Sequence, residues 1–102
     1  PPLTLVYTGS PASERALELA VRLAERMDKQ LHLVLPMTQT DAEQISTQLR
    51  QRIRAVEFHV IRVDDVDRFA QLLQTLGHRT VIMPAEFAEL LPLLNGPVLL
   101  TP

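Results

Sequence analysis

The sequence predicts an α/β domain: a three-layer sandwich with helices on both faces of a five-stranded parallel sheet. Short apolar runs alternate with helical patterns along the whole chain, which is the rhythm of successive βαβ units. The runs are apolar almost throughout, as expected for strands that are buried on both faces. Right-handed crossovers between such strands favour the strand order 3-2-1-4-5. The connections between the elements are short, which predicts a single domain over residues 1–102.

The first strand and helix show this most clearly. An apolar strand is predicted at Leu3–Thr8, and a Gly-Ser turn connects it to an amphipathic helix from about Ala12 to Asp28. Either Ser10 or Ser13 can cap that helix, because a short hydroxyl side chain can accept a hydrogen bond from the first backbone N–H groups. Pro11 fits the first turn, where a proline is tolerated.

The later elements follow the same rhythm. We expect strands at Leu31–Pro36, Phe58–Val63, Thr80–Met83 and Pro97–Thr101, helices at Thr40–Ala55 and Val66–Leu76, and a short helical segment at Ala85–Leu91 that Pro92 ends. The spacing of Thr40 and Glu43 predicts a capping box at the start of the second helix. Asp65 is expected to cap the third helix, and Gly77 is expected to end it.

The composition bounds the class of protein. The chain has 102 residues, 46% of them hydrophobic, which suits one globular domain. Its net charge of −2 offers no electrostatic reason to expect nucleic acid or an anionic membrane as a partner. The lack of cysteine excludes disulfides and thiol chemistry and fits a cytoplasmic location. No apolar run approaches the ~18 residues that span a bilayer. Because the chain opens with Pro1-Pro2 instead of Met, we expect a piece of a longer protein.

The order of these motifs resembles the universal stress protein family. The resemblance covers the whole chain and rests on Val6–Ser13 with the apolar stripe that follows, on Thr80–Met83, and on Gly96–Leu100. It implies a doubly wound fold and a homodimer formed through the last strand. The apolar residues Val98, Leu99 and Leu100 would lie there at a sheet edge, which invites pairing. Another part of a longer protein could cover the same edge instead.

The resemblance also bears on ATP. Family members that bind ATP resemble one another in an acid just before the Gly-Ser turn and in a glycine-rich stretch after the fourth strand. Here Thr8 replaces the acid, and Met83–Glu89 replaces the glycine-rich stretch. Backbone cradles for phosphate need glycines, and the three glycines of the chain all have structural uses. Since Pro84 lacks an N–H, and Glu86 and Glu89 would repel a triphosphate, we expect neither ATP binding of the family type nor any cofactor.

A ligand crevice is nevertheless expected where the strands end. Its residues would be Thr8, Gly9, Ser10, Leu35, Pro36, Met83 and Pro84. A small anion, a nucleotide or a nucleoside could bind there, with the backbone of Leu35 against a base edge. Alternatively, Thr8–Ser10 form only a turn and a helix cap. We therefore expect a non-catalytic regulatory or interaction domain, with a small-ligand sensor as the alternative.

The remaining candidates for chemistry have structural explanations. The acidic residues Asp64, Asp65 and Asp67 lack the acidic pair after strand one and the lysine near strand five that a receiver-type site needs, so capping of the third helix explains them better. His32, His59 and His78 lie in different segments without metal-ligand spacing. No serine has a nucleophile signature, and Arg50, Arg52 and Arg54 are interpreted as a solvated helix face. We expect no catalytic residues and no metal site.

Overall fold

The structure, a computed structural model, describes residues 2–75, 79–94 and 96–102. Its strands are β1 (Leu3–Val6), β2 (Leu31–Pro36), β3 (Phe58–Val63), β4 (Val81–Pro84) and β5 (Val98–Thr101). Its helices are α1 (Pro11–Met27), α2 (Gln39–Arg52) and α3 (Val66–Thr75), and a 3₁₀ segment (Ala85–Leu93) connects β4 to β5. The strands form one parallel sheet in the order β3-β2-β1-β4-β5, which confirms the predicted fold class and strand order.

The alternation of side chains along β1 divides the apolar core into two parts. Leu3 and Leu5 point toward α1 and α2, where they pack with buried residues of both helices. Val6 points to the other face, where α3 and the 3₁₀ segment supply Phe69 and Phe87, whose rings meet edge to face at 5.5 Å. Because both faces of the central strands are covered, the near-continuous apolar runs of the sequence are explained.

Local capping explains where two of the helices begin and end. Ser10 caps α1, since its Oγ accepts a hydrogen bond from the Ser13 N–H at 3.1 Å. The same helix ends at Asp28, which adopts the left-handed conformation with φ of 52° and donates its backbone N–H to the Ala24 and Glu25 carbonyls. Asp65 caps α3 as predicted, because its carboxylate accepts from the Asp67 N–H at 2.7 Å.

Helix α2 begins and ends earlier than predicted. Its cap is Thr38, whose Oγ1 accepts from the Asp41 N–H at 3.3 Å, so the predicted capping box at Thr40 is wrong. Thr38 takes this role because it follows β2 almost directly, and the helix therefore already includes Thr40. The helix ends at Arg52, with Ile53 as an extended C-cap, instead of at Ala55.

Further boundaries differ from the prediction: β4 is Val81–Pro84 instead of Thr80–Met83, and β5 begins at Val98 instead of Pro97. Strand β1 ends at Val6 instead of Thr8, because the Thr8 N–H donates to the Ser13 side chain and not to a neighbouring strand. The 3₁₀ segment continues through Pro92 to Leu93, since the closing hydrogen bond is donated by Leu94 to Leu91 and does not need the N–H that proline lacks. The predicted helix residue Leu76 and the predicted stop Gly77 lie outside the described residues. Within the described ranges, no helix is both long and apolar enough to cross a membrane.

Candidate functional site

The candidate site lies where β1 and β4 end side by side. The turn after β1 brings Thr8 over the first residues of α1, and Gly9 makes this turn possible with φ of +85°, a conformation that other residues rarely adopt. The segment after β4 lies next to this turn because the two strands are paired, with Thr4 opposite Val81 and Leu5 opposite Ile82. The centre of the sheet thus brings together two segments that are distant in sequence.

Three hydroxyl groups gather at the N-terminus of α1. The Oγ1 of Thr8 lies 2.7 Å from the Oγ of Ser13, and the Oγ of Ser10 lies 3.1 Å from the same atom. Ser13 is fully buried and also accepts the Thr8 N–H at 3.0 Å. These bonds hold the turn after β1 against the helix. They also direct the hydroxyl groups toward the space beyond the N-terminus of α1.

Glu86 occupies that space. Its Oε1 accepts hydrogen bonds from the Thr8 hydroxyl at 3.0 Å and from the Ser10 hydroxyl at 2.8 Å. With Ser13 donating to Thr8, every hydroxyl proton of the cluster has an acceptor, and the network ends at a carboxylate. The N-terminus of a helix favours negative charge, because its dipole and its unpaired N–H groups point outward. The Glu86 carboxylate is thus held by the hydroxyl groups at the start of α1, where negative charge is favoured.

From the sequence alone, Glu86 is expected only to repel a triphosphate. Its position at the hydroxyl cluster was open to prediction, because the expected strand order already places the segments after β1 and β4 side by side. What the sequence could not indicate is that the exposed Glu86 side chain, at the start of the 3₁₀ segment, reaches the hydroxyl groups of Thr8 and Ser10.

The other predicted crevice residues do not present side chains to a ligand. Leu35 and Met83 are fully buried, and the Leu35 carbonyl accepts the Met37 N–H at 3.0 Å. Pro84 caps the 3₁₀ segment. Pro36 lines a cavity of about 110 Å³ together with Val63, Asp64, Asp65 and Phe69. Sites for small molecules usually measure roughly 300–1,000 Å³, so this cavity is small for a nucleoside.

A second polar cluster, absent from the sequence predictions, joins β1, α1 and α2. Arg52 pairs with Glu14 through two hydrogen bonds of 2.8 and 3.3 Å, and the Tyr7 hydroxyl donates to the same carboxylate. Burial, followed by the hydrogen bond and charge of Glu14, raises the pKa of Tyr7 to about 12. The Arg52 guanidinium holds the pKa of Glu14 below its usual value.

Arg50, Arg52 and Arg54 are exposed, as expected for a solvated helix face, and two of them also contact neighbouring elements. Arg52 forms the ion pair with Glu14, and the guanidinium of Arg50 lies 5.0 Å from the centre of the Phe58 ring. Both side chains therefore connect α2 to neighbouring elements. Neither contact has a sequence signal, since each partner belongs to a different element.

Two histidines meet on the sheet face that α3 partly covers. His32 of β2 and His59 of β3 are register partners, and their ring centres lie 5.7 Å apart at an interplanar angle of 84°. The spacing of the two histidines along the chain does not predict this pairing, because the pairing depends on the register of β2 against β3. Among the described residues, no group of three or more His, Cys, Asp or Glu side chains could hold a metal ion. The third histidine, His78, lies outside the described residues.

The outer edge of β5 is apolar and exposed. Leu99 is 41% exposed and Leu100 is 38% exposed, and Leu91 of the adjoining 3₁₀ segment is 37% exposed. Val98 is partly buried against the core on the α3 side. The strand is fixed to α1 by Thr101, whose hydroxyl donates to the Ala12 carbonyl at 2.9 Å.

Comparison with known proteins agrees with this architecture. No protein-family model matches the chain, and no curated protein matches it either. A solved structure is similar over nearly its whole length: a protein from the universal stress protein family from Burkholderia pseudomallei. The two are 22% identical in sequence, with a TM-score of 0.65 over 98% of this chain and 95% of the other. The chain therefore has the fold of a universal stress protein.

Proposed function

We propose that this chain is a non-catalytic regulatory or interaction domain of the universal stress protein type that does not bind ATP in the manner of its family. The observation that carries the proposal is the Glu86 carboxylate on the hydroxyl groups of Thr8 and Ser10. A site of action in the cytoplasm, and a part in a stress response, belong to the same proposal.

Charge and space both support the loss of ATP binding. A phosphate placed at the N-terminus of α1 would meet the Glu86 carboxylate at close range, where like charges repel strongly. Binding would have to displace this side chain and break its hydrogen bonds to Thr8 and Ser10. The glycines that would form a backbone cradle after β4 are replaced by Pro84 and the residues that follow it. Together, these effects oppose the binding of a triphosphate.

Among the described residues, the hydroxyl cluster has no histidine or lysine base of the kind that commonly activates a serine nucleophile. A serine nucleophile needs an adjacent base to take its proton. The side-chain partners of Ser10 and Ser13 within the described residues are hydroxyl groups and the carboxylate of Glu86, with no histidine or lysine among them. The bonds instead explain the closed turn and the capped helix. This supports a structural role for the cluster.

The exposed edge of β5 supports action through assembly. The backbone groups on the outer side of an edge strand can pair with another strand, and exposed apolar side chains there favour contact. Leu99 and Leu100 face opposite sides of the sheet, so a partner strand would cover both. A second copy of this chain meets these requirements, and a partner domain is the other possible occupant.

Titration with MgATP tests the loss of the nucleotide site. We expect no change in melting temperature and no heat of binding at millimolar nucleotide for the wild type, because ligand that binds the folded state raises its stability by mass action. A variant with Glu86→Gln removes the negative charge and keeps the shape. Saturable ATP binding by the wild-type chain would disprove this part of the proposal.

Light scattering tests the assembly. We expect a homodimer whose dissociation constant rises at least tenfold in Leu100→Lys, because the lysine would place a charge inside the interface. Met27→Lys is the matched control, since Met27 is also apolar and exposed, at 48%, but lies at the end of α1. A wild-type chain that stays monomeric at high concentration would overturn dimerisation. Equal effects of the two substitutions would place the interface elsewhere.

A further inference from the structure

A row of polar side chains crosses the sheet on the face toward α3. Thr4 of β1 is the register partner of His32, and His32 is the register partner of His59. Register partners in a parallel sheet project from the same face, so the three side chains lie side by side. The core residues around these three side chains are apolar, so the row differs from them in polarity. The row also lies away from the hydroxyl cluster at the strand ends.

The spacing of the two imidazoles is close to that of a shared metal ion. A transition metal lies about 2.0–2.1 Å from a ligating histidine nitrogen, and roughly 1.1 Å further along is the ring centre. Two such rings at a tetrahedral angle have centres about 5.2 Å apart. The ring centres of His32 and His59 lie 5.7 Å apart, within about half an ångström of the spacing for one shared ion.

The surroundings of the two rings differ in a useful way. His59 is exposed, which gives an ion and its water ligands a route from solvent. The Nδ1 atom of His32 is buried without a hydrogen-bond partner, as is the Oγ1 atom of Thr4 beside it. Buried polar atoms in native proteins nearly always have partners, and a bound water or ion often accounts for the exceptions.

From this geometry we propose that His32 and His59 form a binding site for a divalent first-row transition metal ion, with water completing the coordination. Copper(II) should bind most tightly, because imidazole suits it and it stands highest in the affinity order of these ions. Burial lowers the pKa of His32, and the charges of Arg79 and His59 act in the same direction. Arg79 also repels a cation, which keeps the affinity below that of sites with three protein ligands.

Calorimetric titration of the chain with CuCl₂ tests the site, with ZnCl₂ as a second ion. We expect one ion per chain, and at least a tenfold loss of affinity in His59→Gln. That variant keeps His32 and His78, so it measures how tightly the metal ion binds to single imidazoles. Because His59 is exposed, the substitution should not prevent folding. Paramagnetic broadening of histidine ring protons should affect His32 and His59 together in the wild type. Equal affinity in wild type and His59→Gln would overturn the proposal.

Arg79→Gln gives an independent check with the opposite sign. Removing this positive charge near His32 should increase the affinity for copper(II), by a factor of two or more, because an opposing charge is lost. An affinity that falls in Arg79→Gln would contradict an ion held beside His32. Circular dichroism of each variant establishes that it remains folded.

Discussion

The single tyrosine of the chain provides a direct measurement of the cluster that joins β1 to α1 and α2. With one tyrosine and no tryptophan, the ultraviolet absorption of the phenolate reports Tyr7 alone. We expect its titration midpoint near 12 in the folded protein, instead of the ordinary 10. Burial is the largest cause, and the Glu14 carboxylate adds to it by accepting the phenol hydrogen bond and by repelling the phenolate.

The same shift predicts how stability depends on pH. At about 1.4 kcal/mol per pKa unit, the folded state favours the phenol over the phenolate by roughly 2–3 kcal/mol. Because the pKa of Tyr7 is higher in the folded state than in the unfolded state, this stability is fully present below pH 10. It is lost as the pH rises from 10 to about 12, since only the unfolded chain releases the proton in that range.

Glu14→Gln separates the two causes. Its titration midpoint should lie between 10 and 12, because burial still disfavours the phenolate while the neighbouring charge is gone. Glu18→Gln removes the same charge from an exposed position one turn further along α1 and should leave the midpoint of Tyr7 unchanged. A wild-type midpoint near 10 with native circular dichroism would refute this arrangement, and so would equal midpoints in wild type and Glu14→Gln.

Three further outcomes can be measured by chemical denaturation. Ser10→Ala should lower the free energy of unfolding by about 1 kcal/mol, since it removes the cap of α1 and a partner of Glu86. Asp28→Gly should be neutral or stabilising by up to ~1 kcal/mol, whereas Asp28→Val should destabilise, because φ of 52° suits glycine and strains a β-branched residue. The wild type should lose stability as the pH falls through the lowered pKa of Glu14, and Arg52→Gln should show less of this loss, because Arg52 is the main cause of the lowered pKa.

Each of these outcomes has an internal comparison. Ser46→Ala changes a serine within α2 that does not cap it, and it should have little effect beside Ser10→Ala. Equal stabilities of the two Asp28 variants would contradict the left-handed conformation at this position. An acid transition that is identical in wild type and Arg52→Gln would contradict the ion pair with Glu14.

Much of the fold was predictable because its signals are local or follow from chain handedness. The apolar runs at β1 and β2 and the periodic stripe of α1 indicate strands and a helix without reference to any distant residue. The strand order is typical of doubly wound folds, in which the chain starts at the centre of the sheet and builds first one side and then the other. The turn at Gly9 and the cap at Ser10 are equally local, since each depends on bonds within a few residues.

The candidate site was predicted only in outline. The sequence predicts Thr8–Ser10 at the junction of strand and helix, where the structure has them, but it also predicts Leu35 and Met83 beside them, and the structure buries both. The sequence does not show which of these side chains are buried. A residue at the end of a parallel strand can present its backbone to a ligand while its side chain points into the core. Glu86, which completes the cluster, was known only by its charge.

The sequence by itself determined which segments of this protein are strands and helices, how they are ordered, and that no glycine follows the fourth strand before Gly96. Only the tertiary structure decided which side chains meet. Glu86 reaches Thr8 across 78 positions, Arg52 reaches Glu14 across 38, and His32 faces His59 through strand register. The physical reason is that backbone periodicity depends on nearby residues, whereas a contact between side chains depends on the register and packing of whole elements. The junction after β1 thus predicts a crevice, and the packing of the 3₁₀ segment fills it with a carboxylate of the same chain.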